Sequence, residues 1–272
     1  MKFLDCHCHM MGKLVSLEYF LSRLDEAGVE RAIVLSYPPA SHLTEEPVRE
    51  DARRLELVMD WAARSERIIP FYWIDPTQED ALEQVDRAVQ AGVRGFKTIC
   101  DHFYPCDERP MQVWRRAAEA GKPLLFHSGI LYSVRPASNY NRPANFEALT
   151  QIPNLRFAMA HISWPWCDEC LAVYGRWAYQ KRKGMTTSEM FIDATPGTPP
   201  LYREEALTKL YRNPGFELED NVMLGIDCEI DYSPAYAREI VQRDQAIFDR
   251  LSVAPGQREK YFSGNARRFL GE

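Results

Sequence analysis

The chain has 272 residues, of which 46% are hydrophobic and 26% are charged, and its formal net charge is -6. This length and composition are typical of a globular protein with a large core and fit one α/β barrel. The negative charge argues against general affinity for nucleic acid or for anionic membranes, because both are polyanions. A small anionic substrate, held by local charges, is not excluded.

Short apolar runs alternate with longer amphipathic segments along the chain. The predicted strands lie at 3–4, 31–36, 68–73, 93–99, 123–127, 155–160, 190–193 and 222–226. A helical spacing of three and four residues relates Val48, Ala52, Leu55, Met59 and Ala62. Ser233-Pro234 predicts a further helix start. Three predicted helices end in glycine just before a strand, at Gly28, Gly92 and Gly121.

Eight strands that alternate with helices predict a parallel sheet closed into a (β/α)8 TIM barrel. An open doubly wound sheet is the alternative, but it would need a glycine-rich phosphate-binding loop after an early strand, and the sequence has none. No linker or low-complexity stretch divides the chain. We therefore expect a single barrel domain over residues 1–272.

The seven cysteines are odd in number and scattered, which favours a reducing compartment over a disulfide framework. No N-terminal signal peptide is evident, and no apolar run approaches the roughly 20 residues needed to cross a bilayer. We predict a cytoplasmic protein.

The first predicted strand runs into Asp5-Cys6-His7-Cys8-His9. Alternate residues of a strand share a face, so His7 and His9 should point together into the barrel mouth and chelate one metal ion. Cys6 and Cys8 should then point toward the helices and pack as small apolar side chains. The alternative is that both histidines only pack or form hydrogen bonds.

Three more polar residues stand where later apolar runs stop. His127 and His161 end the fifth and sixth predicted strands, and Asp227 ends the eighth. The carboxyl ends of barrel strands meet on one face, where polar residues are usually catalytic. We therefore expect these side chains to complete one site with His7 and His9.

This ordered set resembles the amidohydrolase superfamily, in particular its compact, mostly one-metal branch of decarboxylases and lactone or carboxylate hydrolases, which includes the aminocarboxymuconate-semialdehyde and resorcylate decarboxylases. The matching residues are Asp5-x-His7-x-His9, Phe126-His127, Ala160-His161, Gly225-x-Asp227 and the closing segment 263–270. The resemblance implies metal ligands at His7, His9, His127 and Asp227, and catalytic roles for His161 and Asp227. It also implies one divalent ion, for which we predict zinc, with manganese as the alternative.

Lys97 lies on the fourth predicted strand, where two-metal members of the superfamily carry a carboxylated lysine that bridges two ions. We favour an ordinary lysine that forms an ion pair or contacts substrate. The other predicted substrate-binding residues are Arg135, Trp164 and Trp166. A surface position for Arg135 and a helix-anchoring role for the tryptophans are the alternatives.

These residues predict a metal-dependent hydrolase that cleaves a C–O or C–N bond of a small, polar, carboxylated molecule with metal-activated water. The runner-up is a metal-dependent, non-oxidative decarboxylase of an unsaturated or aromatic acid. A non-catalytic metal-binding barrel is a third reading, disfavoured because a structural ion would not need His161. The expected partner is a small molecule, and a homodimer remains open.

Overall fold

The computed structural model describes residues 2–42, 49–212 and 215–272. Val48, the first member of the predicted helical pattern, lies outside these ranges. The strands, in chain order, are β1 (Phe3–His9), β2 (Val29–Leu35), β3 (Ile68–Trp73), β4 (Gly95–Thr98), β5 (Leu124–Phe126), β6 (Arg156–Met159), β7 (Glu189–Asp193), β8 (Val222–Met223) and β9 (Cys228–Glu229). All eight predicted strand positions are thus confirmed, although several strands are shorter than expected.

The nine strands form one parallel sheet in the order β8-β7-β6-β5-β4-β3-β2-β1-β9. β8 covers the start of the predicted eighth strand, whereas β9 lies beyond its predicted end at residue 226 and pairs with β1. Between them, the Cys6 amide donates to the Leu224 carbonyl at 3.1 Å and the Asp227 amide donates to the His7 carbonyl at 2.9 Å. These bonds join the last strand to the first, as the predicted TIM barrel requires.

Helices follow most strands and cover the outside of the sheet. They are α1 (Leu17–Ala27), α2 (Asp51–Arg64), α3 (Ala81–Ala91), α4 (Glu108–Glu119), α5 (Cys167–Arg182), α6 (Pro200–Tyr211), α7 (Pro234–Arg250), α8 (Pro255–Glu259) and α9 (Asn265–Leu270). α7 begins as predicted, with the Ser233 hydroxyl accepting from the Tyr236 amide at 3.3 Å. Gly28 and Gly92 end α1 and α3 in the left-handed conformation, which confirms the predicted helix-to-strand junctions.

The connection between β5 and β6 differs from the others. The described chain has no α-helix here and instead forms two 3-10 segments, Ser138–Asn141 and Pro143–Gln151. The side-chain amide of the buried Asn141 donates to the Cys100 carbonyl at 2.7 Å. The backbone carbonyl of Asn141 accepts from the Gly129 backbone amide at 2.9 Å. This segment therefore anchors the loop that follows His127.

The buried residues form two layers. The inner layer fills the barrel and includes Leu4, Ile33 and Phe71. The ring of Phe269, from α9, packs against Phe71. The outer layer lies between the strands and helices. Apolar burial in both layers drives folding at roughly 25 cal/mol per Å² of buried surface.

One expectation for β1 is wrong. Cys8 packs in the outer layer as predicted, but Cys6 packs inside the barrel with Leu4. The reason is an irregularity in the pairing with β2, where Asp5 pairs with Ala32 but Cys8 pairs with Val34, so β1 carries one extra residue. Cys6 shares the inward face of Leu4, and the bulge between Asp5 and Cys8 breaks the alternation so that Cys8 lies on the other side of the strand.

No helix within the described ranges is both long and apolar enough to cross a membrane.

Candidate active site

Three side chains converge at the strand ends. His7 Nε2 lies 3.1 Å from His9 Nε2 and 3.5 Å from Asp227 Oδ1, and His9 Nε2 lies 3.3 Å from the same oxygen. A tetrahedral ion with bonds of about 2.0–2.1 Å keeps its ligand atoms about 3.3 Å apart. Two imidazoles and a carboxylate at these separations are suited to a divalent first-row ion. His7, His9 and Asp227 can therefore hold one ion together.

The orientation of His7 is set by a residue that the sequence analysis missed. His7 Nδ1 donates to Asp193 Oδ2 at 2.7 Å, and both side chains are fully buried. Asp193 in turn accepts from the Thr195 hydroxyl and from the Thr195 amide at 2.8 Å. With Nδ1 protonated, the Nε2 lone pair of His7 faces the ligand group. Asp193 ends β7, so the criterion that selected Asp227 would have selected it as well.

The ionisation states suit this arrangement. Burial opposes charge on Asp227, but the imidazoles of His7 and His9 outweigh it and hold the carboxyl pKa well below its usual range. Burial lowers the pKa of both histidines below the ordinary value. At neutral pH the group therefore presents two neutral imidazoles and one carboxylate, which are the forms that bind metal.

Lys97 lies beneath the ligand group. Its fully buried Nζ is 3.2 Å from His7 Nε2, and burial lowers the pKa of the amine to about 8. Most of this amine is therefore protonated near neutral pH. Lys97 can contact the ligand group or an oxygen held there, and its predicted contact with substrate stays a prediction.

His161 reaches the same group from the turn after β6. Its Nδ1 lies 4.0 Å from Asp227 Oδ2, and its ring centroid lies 5.5 Å from that of His7. His161 adopts φ of 60°, and Ile162 and Ser163 follow with φ of 49° and 54°. Three consecutive left-handed residues are rare outside glycine and mark functional sites. Burial lowers the His161 pKa to about 4, so the ring is neutral at physiological pH.

Two buried ring nitrogens lack partners. Within the described part of the chain, neither His9 Nδ1 nor His161 Nδ1 has a hydrogen-bond partner. Buried polar atoms are normally satisfied, and exceptions call for a missing water, ion or ligand. Both atoms belong to the site, which is consistent with a bound ion or substrate.

His127 is near this group but is not part of the three-residue cluster. Its Nε2 lies 3.1 Å from the Ile130 carbonyl, and its ring centroid is 4.8 Å from that of His161. Burial lowers the His127 pKa well below the ordinary value. Its role as a fourth ligand stays a prediction.

Asp5, the first residue of the motif, is buried and holds the backbone next to the site. Its carboxyl accepts from the His7 amide at 3.0 Å, from the Ile226 amide at 2.9 Å and from the Tyr232 hydroxyl at 2.9 Å. It therefore ties β1 to the backbone just before Asp227. Asp227 itself has φ of 62° and lies between β8 and β9. Burial raises the pKa of Asp5 to about 7.

A cavity of about 880 Å³ opens above these residues. His9, His127, His161 and Asp227 lie at its polar end, and Trp73, Ile99, Ile130 and Trp164 supply apolar walls. Tyr132 and Val134 stand at the mouth, about four-fifths exposed. Of the predicted substrate-binding residues, Trp164 is therefore in place.

Two other predicted substrate-binding residues lie elsewhere. Arg135 NH1 faces Asp101 Oδ1 at 3.8 Å, and Arg135 is not among the described residues that line the cavity. Trp166 lines a separate surface depression, with the Arg142 guanidinium 4.9 Å from its ring. Their substrate contacts stay predictions that this placement does not support.

Cys167 and Cys170 are buried free thiols of α5.

A parallel barrel whose strand ends bring several histidines and Asp227 to one cavity has the architecture of a TIM-barrel enzyme. The model of the amidohydrolase family matches residues 5–271, and the chain belongs to this family. The predicted superfamily and the enzymatic nature of the protein are thereby confirmed. Amidohydrolases generally depend on metal, and the cluster of His7, His9 and Asp227 agrees with this.

Solved structures support the fold. An uncharacterized TIM-barrel protein from Bordetella bronchiseptica is 17% identical with a TM-score of 0.73, over 100% of this chain and 99% of that one. A 2,6-dihydroxybenzoate decarboxylase in complex with 2,6-dihydroxybenzoate is 15% identical with a TM-score of 0.66, over 99% and 98%. A probable 2-pyrone-4,6-dicarboxylic acid hydrolase from Acinetobacter baumannii, with citric acid bound, is 10% identical with a TM-score of 0.62, over 100% of both chains. No curated protein matches the sequence significantly.

Proposed function

We propose that this protein is a metal-dependent hydrolase that cleaves a C–O or C–N bond of a small carboxylated molecule. The observation that carries the proposal is the convergence of His7, His9 and Asp227, whose ligand atoms lie 3.1–3.5 Å apart beneath the cavity. Zinc is the ion we expect, with manganese as the alternative, and His127 is the candidate fourth ligand. When bound, such an ion supplies Lewis-acid activation of water or of a substrate oxygen.

The protein side chains supply the proton transfers. Asp227 is ionised and about 30% exposed to the cavity, so its Oδ2 can accept the proton of an attacking water molecule. The same carboxyl can then pass this proton to the leaving oxygen or nitrogen. His161, neutral and 4.0 Å from that oxygen, can donate an N–H hydrogen bond to the substrate carbonyl. Asp193 keeps His7 in the tautomer that the site needs.

The substrate class rests on the surroundings of the polar end. Lys97 is the cation beneath the ligand group, and its amine suits a carboxylate or a developing oxyanion. Two structurally similar proteins, the dihydroxybenzoate decarboxylase and the probable pyrone dicarboxylic acid hydrolase, carry carboxylic acids in their names or complexes. A carboxylated substrate is consistent with both observations.

A decarboxylase is the second candidate, and the cavity walls favour it. Trp73 and Trp164 offer flat apolar surfaces next to the polar end, which suit an aromatic or unsaturated acid. In that reaction the C–C bond to the carboxyl breaks, carbon dioxide leaves, and a proton replaces it on the carbon. Asp227 would first accept this proton from a water molecule or from a hydroxyl group of the substrate and then pass it to the carbon.

A panel of aromatic and unsaturated acids, lactones and amides distinguishes the two reactions. In ¹⁸O-labelled water, a hydrolase incorporates the label into its product and releases no carbon dioxide, as measured by mass spectrometry. Elemental analysis should find about one divalent ion per chain. Absence of metal, with no gain of activity when metal is added, would rule out the proposed function. Release of carbon dioxide, with no label in the organic product, would assign the decarboxylase instead.

A further inference from the structure

A second polar group lines the cavity away from His7, His9 and Asp227. His42 lines the wall, and its Nδ1 lies 2.8 Å from Asp101 Oδ2. Both side chains are largely buried, at 10% and 4% exposure. A histidine held by a buried carboxylate, with its other nitrogen directed to a cavity, is a common arrangement in ligand sites.

Asp101 determines which nitrogen of His42 carries the proton. Asp101 also accepts from His102 Nδ1. Burial opposes its ionisation, but the hydrogen bonds from His42 and His102 outweigh burial and lower the pKa of Asp101 below its ordinary value. An ionised carboxyl only accepts hydrogen bonds, so both Nδ1 atoms are protonated. Since Nδ1 is held by Asp101, Nε2 is the nitrogen of His42 that a ligand in the cavity can bind.

Trp73 links this group to the polar end. Its ring centroid lies 5.0 Å from that of His42 and 5.4 Å from that of His9. The two imidazoles are therefore no more than about 10 Å apart along one aromatic wall. One flat molecule on this wall can reach both.

The charges around His42 disfavour an anion. Among the residues that the structure describes, Asp101 and Asp75 flank His102, with Asp75 Oδ2 3.6 Å from His102 Nε2, and Arg135 is a cation that faces Asp101. These three charged groups sum to one negative charge. A second carboxylate on the ligand would be repelled by the two carboxyls, whereas a hydroxyl group, which both donates and accepts, can form a hydrogen bond with Nε2.

We propose that His42, fixed by Asp101 and packed on Trp73, is a binding residue for a hydroxyl group on the end of the substrate opposite its reacting group. The substrate is then a flat molecule with its reacting carboxyl or carbonyl at His7, His9 and Asp227 and its hydroxyl at His42. This inference rests on the proposed function for the position of the reacting end.

Calorimetric titration of the zinc-loaded protein with benzoate, 3-hydroxybenzoate and 4-hydroxybenzoate tests it. At least one hydroxylated acid should bind about three- to tenfold more tightly than benzoate, which corresponds to one neutral hydrogen bond. His42→Phe keeps the aromatic packing on Trp73 and removes Nε2, so it should abolish this preference. Benzoate itself should bind the variant with nearly unchanged affinity.

His102→Phe is the matched control. His102 bonds to the other oxygen of Asp101 but does not line the cavity among the described residues. This variant should keep the hydroxyl preference, and circular dichroism should show both variants folded. A preference that survives His42→Phe overturns the proposal, as does equal binding, or none, of the three acids at millimolar concentration by the unmodified protein. Tighter binding of terephthalate than of the hydroxybenzoates would overturn it too.

The measurement is a ratio of binding constants and needs no turnover. Loss of activity would therefore count against the proposed function while leaving the ratio readable. Absence of the hydroxyl preference in the unmodified protein, with intact metal content, would count against the role of His42 alone.

Discussion

His7 has both ring nitrogens engaged, and this explains its place in the site. Nδ1 is bound to Asp193 at 2.7 Å, and Nε2 faces His9, Asp227 and Lys97 within 3.5 Å. Hydrogen-bonding partners behind a ligand histidine typically change metal affinity 10- to 100-fold when mutated. The chemistry of the candidate ligand group thus depends on a residue 186 positions away in the chain.

We expect His161→Ala to keep the metal and to lose about 100- to 10,000-fold in turnover, because His161 faces the reacting groups and is outside the three-residue ligand cluster. Elemental analysis and steady-state kinetics on the true substrate check this prediction. Full activity of the variant would show that His161 has no catalytic role.

We expect Asp5→Asn to flatten the pH dependence of stability. The folded-state pKa of Asp5 is about 7, above the ordinary aspartate value of about 3.9, so the folded state binds more protons between these values. Stability from Asp5 is therefore present at low pH and is lost as pH rises from about 4 to about 7. Asparagine can accept the two amide bonds without this loss.

Urea denaturation at several pH values measures the effect of Asp5→Asn. The free energy of unfolding of the variant, relative to the unmodified protein, should increase from pH 4 to pH 7. Asp5→Ala removes the acceptor for the His7 and Ile226 amides and should destabilise at every pH. A constant difference for Asp5→Asn would contradict the raised pKa.

At the scale of elements, the turn after β6 positions His161 through close backbone packing. His161, Ile162 and Ser163 are left-handed, and the Ile130 amide donates to the Trp164 carbonyl at 2.8 Å. A β-carbon on Gly129, which has φ of 99°, would lie 2.3 Å from that carbonyl oxygen. The loops after β5 and β6 therefore fit together only with glycine at this point.

We expect Gly197→Ala to displace His161, because the added β-carbon would lie 2.7 Å from His161 Cβ and 2.8 Å from Cγ. A misplacement of about 1 Å costs up to about 100-fold in turnover. The metal content should not change, since the atoms nearest to the added β-carbon belong to His161 and not to His7, His9 or Asp227. Gly256→Ala, which meets nothing within 4 Å, is the control and should be fully active. Equal kinetics for both variants would refute the expected displacement.

At the scale of the whole molecule, the candidate ligands join the two ends of the sheet. His7 and His9 belong to β1, and Asp227 precedes β9, which pairs with β1 to close the barrel. An ion bound by all three would therefore stabilise this closure, because unfolding separates its ligands.

Zinc should accordingly stabilise the protein against urea, by about 2.7 kcal/mol when free zinc is 100 times its dissociation constant. A chelator should reverse the effect. His7→Ala should abolish it, whereas His102→Ala, a histidine outside the ligand cluster, should retain it. Equal stabilisation of the two variants would place the ion elsewhere.

The sequence by itself determined the barrel, the order of its strands and the set of polar residues at their ends, because alternating periodicity and residue type are local properties. It did not determine the bulge that separates the faces of Cys6 and Cys8, the bond from His7 to Asp193, or the pairing of His42 with Asp101. The sequence also predicted that Arg135 and Trp166 contact the substrate, but neither is among the described residues that line the cavity. These features depend on register and on contacts between distant segments, which only the closed barrel brings together.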